Sequence, residues 1–132
     1  MCFKELLSSK KGQSIVETAM VLPIIVIILA GIIDFGLLFN NYMIITNASR
    51  EAARSAAIGD GDLDINLLVV NMTGTLDQSK ITTTIYPPDN LRRKGEEVVI
   101  TIEYQNTLIT PVISAIIPNP ISLESKTIMR IE

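Results

Sequence analysis

The chain has 132 residues, a formal charge of −3, 48% hydrophobic residues, no histidine and one cysteine, Cys2. That length leaves room for one small domain beyond a long anchor, and the negative charge gives a nucleic-acid partner no electrostatic support. With no histidine and a single thiol, one chain cannot build a disulfide framework, a thiolate–imidazole nucleophile or a Cys/His zinc site.

The charge is unevenly placed. Residues 1–12 carry Lys4, Lys10 and Lys11 against Glu5, a balance of +2, which leaves −5 on the remainder. Next comes GQSIVETAMVLPIIVIILAGIIDFGLLF, residues 12–39, in which Glu17 and Asp34 are the only charged side chains and residues 19–33 hold no polar side chain. Residues 15–39 as a helix rise roughly 37 Å at ~1.5 Å per residue, enough to cross a hydrocarbon core of about 30 Å. A secretory signal peptide requires small residues at a cleavage site just past the apolar run, and the sequence there is Ile32-Ile33-Asp34-Phe35-Gly36. Two readings remain open. One is an uncleaved single-span anchor, its basic leader predicting a cytoplasmic N-terminus and an external remainder. The other is a prepilin-type leader cut after Gly12, so that the mature protein begins at Gln13 with Glu17 as its fifth residue. Glu17 then has a purpose. A carboxylate costs about 2.5–3.5 kcal/mol at mid-membrane and less near the edge, and a newly exposed α-amino group on a neighbouring subunit neutralises it. On the bland alternative, Glu17 sits among headgroups and does nothing.

Pro23 deletes one helical hydrogen bond and predicts a local kink. Gly31 and Gly36 bare the backbone for a close helix approach, or are simply tolerated. Asp34-Phe35-Gly36 spells a kinase metal-binding triplet, but the glycine-rich loop, lysine strand and catalytic loop that give it meaning are missing. Tyr42 suits a membrane interface, and the alanine-rich run that follows favours helix, giving one continuous helix over about residues 13–58. Its stripe of Ile45, Ala48, Ala52 and Ala56 packs beneath the chain's own outer domain or against other subunits. Arg50 and Arg54 share another face.

Gly59 is a helix-ending signal. Asp60, Asp62 and Asp64 alternate like the start of a calcium loop, but Ile65 and Asn71 occupy the positions where glycine and glutamate are needed. The favoured reading is N-capping by Asp62 or Asp64 of a second helix over residues 63–76, with Leu63, Leu67, Val70 and Gly74 on one side. Residues 80–86 are β-branched and stop at Pro87-Pro88, and Arg92-Arg93-Lys94 read as a solvated turn. In residues 97–104, Val98, Ile100, Ile102 and Tyr104 alternate with Val99, Thr101 and Glu103, a half-buried strand that forms a long-looped hairpin with the preceding one. Residues 108–117 lean towards a short helix started by Pro111, Pro118-Asn119-Pro120 is a turn, and residues 121–131 alternate again. The fold class is α+β: a long N-terminal helix packed by a small antiparallel sheet of about three strands with one or two short helices. Its expected divisions are a leader (1–12), a transmembrane half (13–39), a stalk half (40–59) and an outer α+β domain (60–132).

The order Gly12, Gln13, Val16, Glu17, Val21-Leu22-Pro23, Asp34-Phe35-Gly36, Asn47-Ala48, Arg50-Glu51, Ala53-Arg54 resembles the TadE-like family, minor pilins or pseudopilins of the tight-adherence (Flp) pilus system. The ending Met129-Arg130-Ile131-Glu132 is similar to that family too. The chain departs from it at Thr18, where a large apolar residue is common, and at Ala52, where glycine is. The resemblance implies a non-catalytic minor pilin that takes part in assembly or initiation of a bacterial type IV pilus used in adherence. It makes Gly12 and Gln13 the processing site and Glu17 the subunit-assembly contact, and leaves Pro23, Asp34, Gly36, Arg50, Glu51 and Arg54 as motif positions without an assigned role. The implied partners are a prepilin peptidase, the major Flp pilin, other minor pilins, the inner-membrane assembly platform and the lipid bilayer. No nucleic acid, small-molecule substrate, cofactor or metal is expected. The alternative is an uncleaved membrane-anchored protein whose outer domain binds a partner.

Overall fold

The structure, a computed structural model, describes residues 10–132; residues 1–9 of the expected leader (1–12), with Cys2, Lys4 and Glu5, lie outside the described residues. The first element is a single helix, α1 (Lys10–Ala57), which passes through Pro23 without interruption. It ends where Gly59 adopts φ +101°, a left-handed conformation that costs glycine little. Amides of Ile58, Gly59 and Asp60 close back on the carbonyls of Arg54, Ala56 and Ser55.

A second helix, α2 (Asp62–Met72), follows. Three strands come next, β1 (Ile81–Tyr86), β2 (Glu97–Asn106) and β3 (Ile121–Arg130), with a short helix α3 (Pro111–Ile116) between the last two. The sheet order is β1-β2-β3, antiparallel throughout. Ile81 faces Tyr104 and Tyr86 faces Val99 across the first pair; Glu97 faces Arg130 and Asn106 faces Ile121 across the second. The architecture is thus α+β: one long apolar helix, a three-stranded antiparallel sheet and short helices.

The period-2 pattern of the strands places Val98, Ile100, Ile102, Tyr104, Leu123 and Ser125 on one buried face. That face lies over Ile45, Ala48, Ala52, Ala53 and Ala56 of α1, all fully buried. Alanine side chains let helix and sheet approach closely. A bulkier residue here overfills a close-packed interior. One polar pin crosses this layer: the Ser49 hydroxyl lies 2.9 Å from Ser125 Oγ and 2.8 Å from Thr127 Oγ1, and donates to Thr46 O at 3.0 Å. At the far pole, Ile131 N donates to Glu96 O, Gly95 N to Ile131 O, and Glu132 N to Ala57 O, joining β3's exit to the end of α1.

Three details of the sequence reading are corrected. The face of α2 that packs on α1 carries Ile65 and Val69, while Leu63, Leu67 and Val70 are 75%, 54% and 47% exposed. The helix has two apolar stripes, and the one continuing into buried Thr73 and Leu76 is covered. Neither Asp62 nor Asp64 caps α2: the N-cap is Gly61, without a side-chain bond. Asp89 acts instead from a distance, its Oδ2 accepting from Asp62 N at 3.5 Å while Asp89 N donates to Asp62 Oδ2 at 3.3 Å. Arg92 is not solvated. Its almost covered guanidinium pairs with Asp62 and donates to Asp60 O at 2.8 Å and Pro87 O at 3.1 Å, and burial pushes its pKa below the ordinary arginine value.

Candidate functional site

The candidate site is α1 itself. Helices of this length and apolarity occur in soluble cores, where they are covered, but the apolar half of α1 is bare. Met20 is 72% and Phe35 68% exposed, and the helix is long and apolar enough to cross a membrane by length and composition. So large an apolar surface marks a lipid or protein contact.

Near its start, Gln13 Nε2 donates to Glu17 Oε1 at 3.2 Å, one turn apart, and Thr18 Oγ1 donates to Ser14 O at 2.9 Å. The Glu17 carboxylate is exposed and, with Thr18, Val21, Leu22 and Ile25, lines a shallow, mostly apolar depression. Gly12 and Gln13 lie inside the helical run. The structure therefore brings Gln13 and Glu17 together. The motif residues Val21 and Leu22 line the same depression as Glu17.

Asp34, for which the sequence offers no partner, has a definite one. It is 3% exposed. Its Oδ1 accepts from Ile109 N and its Oδ2 from Thr110 N, each at 3.2 Å. These are the two amides just ahead of α3, which starts at Pro111. A second tie lies two turns further along α1, where Asn41 Nδ2 donates to Asn106 Oδ1 at 2.7 Å. A signal for both was available. Stepping back from Ala52 through Ala48 and Ile45 at alternating helical spacings of three and four reaches Asn41, Leu38 and Asp34, so the carboxylate continues the stripe that faces the sheet.

The remaining motif residues point elsewhere. Arg50, Glu51 and Arg54 are exposed on the side of α1 away from the sheet. Gly36 has open space where a side chain would stand, whereas a methyl on Gly31 would lie 3.7 Å from Ile113 Cδ1 of α3. Gly31 thus meets the chain's own short helix, whereas a methyl on Gly36 would meet no atom within 4 Å among the described residues.

Residues 12–54 match the family model of the TadE-like proteins. The TadE-like match relates the chain to Tad pilus proteins carrying a membrane-spanning helix. It covers a third of the chain and stops within α1, so the likeness at residues 129–132 forms no part of it. Within the TadE-like segment fall Gly12, Glu17, Pro23, Asp34 and the Arg50–Arg54 run. No curated protein and no solved structure gives a significant match.

Proposed function

We propose that the chain is a non-catalytic minor pilin of the Tad (Flp) system, processed between Gly12 and Gln13 and admitted to an assembly through Glu17. The observation that carries this reading is an exposed carboxylate on an uncovered apolar helix, five residues past Gly12, inside the TadE-like segment. In a bilayer such a group is costly unless it meets a positive charge. The α-amino group of a neighbouring subunit, released by a prepilin peptidase, supplies that charge at the right depth. Arg50, Glu51 and Arg54, turned away from the sheet, are free to meet the major Flp pilin, other minor pilins or the inner-membrane platform. The leader lies in the cytoplasm, residues 13–39 span the membrane, residues 40–59 form a stalk, and residues 60–132 form the domain on the outer side.

One observation favours the uncleaved anchor: α1 is already helical across the Gly12–Gln13 bond, and a peptidase has to unwind that turn to cut it. Mass and N-terminal sequence of the membrane-extracted protein decide between the two. The minor-pilin reading expects a start at Gln13 and loss of pilus assembly in Glu17→Ala. An intact N-terminus together with normal piliation in that variant overturns it.

A further inference from the structure

We propose that the β2–β3 connection, residues 107–120, is a second membrane-contacting element, seated in the leaflet on the domain's side beside α1; this rests on reading α1 as a membrane span. Glu103 and Glu124 face each other across the β2–β3 pair, and no charged residue occurs between them along the chain. From that pair the connection descends the side of α1. Asn106 meets Asn41, Ile109 and Thr110 meet Asp34, Ile113 meets Gly31, and the chain climbs back to Ile121 near Leu38.

Depth follows from the rise of the helix. At ~1.5 Å per residue, Gly31 lies about 24 Å above Ile15, within a hydrocarbon core of about 30 Å. Starting the core at Thr18, past Glu17, lowers Gly31 to about 20 Å above its inner edge. Tilt deepens it further. Either way Ile113 is carried below the outer edge of the hydrocarbon.

The surface that the connection turns away from α1 suits that position. Ile109 and Ile116 are 73% and 76% exposed, with Val112 beside them, while Ile117 lines the apolar groove against Gly31, Phe35 and Leu38. Ile109, Val112 and Ile116 extend the bare apolar surface of Ile32 and Phe35. Irregular backbone tolerates lipid only when its polar groups are satisfied internally, and here most of the N–H donors are. Leu108 N donates to Asn119 Oδ1 at 3.1 Å, the next two amides go to Asp34, Ser114 N donates to Thr110 O and Ile117 N to Ile113 O. Pro111, Pro118 and Pro120 have no N–H to satisfy. The connection in turn shields the Asp34 carboxylate from acyl chains, which explains a buried acid on an otherwise bare helix.

The test uses the full chain with Cys2→Ser, carrying one cysteine at a time (Ile116→Cys, Ile28→Cys or Thr84→Cys) labelled with a polarity-sensitive fluorophore. Each is placed in phosphatidylcholine–phosphatidylglycerol vesicles with and without lipids bearing doxyl quenchers near the headgroup end and near the middle of the acyl chain. All three positions are exposed, so the labels leave the core intact. The expected result is blue-shifted, doxyl-quenched emission at Ile116 matching that at Ile28, with the Thr84 label unquenched. Quenching at Ile28 with a Thr84-like Ile116 overturns the inference and leaves the span standing. No quenching at either position overturns the span, and the inference with it. A blue shift at Ile116 that doxyl lipid leaves unquenched, and that fades as the protein is diluted in lipid, assigns the surface to a second copy and also overturns the inference.

Discussion

Replacing Asp34 with alanine leaves the amides of Ile109 and Thr110 without an acceptor at a place the domain keeps covered. A hydrogen bond to a charged group contributes about 1.5–3 kcal/mol. Both bonds share one carboxylate, so they do not add fully, and a net loss of about 3 kcal/mol in the local opening free energy follows. That corresponds to roughly 100-fold faster amide exchange. Asp34→Asn retains one acceptor oxygen and is expected to lose about half as much, roughly tenfold in rate. The assay is hydrogen–deuterium exchange on the full chain in lipid nanodiscs, comparing the peptide that spans 107–117 with one that spans 98–104. Faster exchange confined to the first peptide, ordered alanine, then asparagine, then native, is the expected pattern. Unchanged exchange at Ile109 and Thr110 in the alanine variant would refute the view that Asp34 holds this connection, whatever happened elsewhere.

Three further outcomes follow from the packing, each read by denaturant or thermal unfolding of the solubilised chain. Ile65→Ala should cost about 2–5 kcal/mol as a large-to-small change in the core, whereas Leu67→Ala on the bare face of α2 should stay within about 0.5 kcal/mol; equal effects would mean the faces are misassigned. Ser49→Ala removes the shared partner of the Ser125 and Thr127 hydroxyls and should cost about 1–2 kcal/mol, with Ser125→Ala recovering part of that loss in the double variant. Arg92→Ala should cost about 2 kcal/mol by stranding the Asp60 and Pro87 carbonyls and the Asp62 carboxylate. Lysine should fail to restore it, because one ammonium cannot reproduce the fork that reaches all three.

Local periodicity made the sheet legible. Val98 to Tyr104 alternate in a strict period of two, and so do Leu123, Ser125 and Thr127, because each strand has one wet face and one dry one. The stalk stripe was equally plain, since alanines at helical spacing on an otherwise polar helix leave little choice of buried face. In α2 seven of eleven residues are apolar, so Ile65–Val69 and Leu63–Leu67–Val70 are both credible stripes and tertiary contact alone selects between them. The partners of Asp34 stand 75 and 76 residues away, beyond the reach of any window-based reading. Arg92 misled for a related reason: three adjacent cations look like a wet turn, and only the fold reveals that the first of them reaches Asp60 and Asp62 across the molecule. Of the candidate site, the proximity of Gln13 and Glu17 followed from one helical turn, and Arg50 and Arg54 fell off the alanine stripe by spacing alone, with Glu51 joining them on the exposed side.

The covering of α1 by β3 also imposes an order on events during synthesis. The Ile45–Ala56 stripe leaves the ribosome about 70 residues before Leu123, Ser125 and Ile131, which close over it and its sheet. At ~5–20 residues per second, the stripe stays uncovered for on the order of several seconds. During that interval the same alanine surface is open to any other helix that presents a matching stripe. Whatever attends this chain during synthesis has to guard the stalk until the third strand arrives.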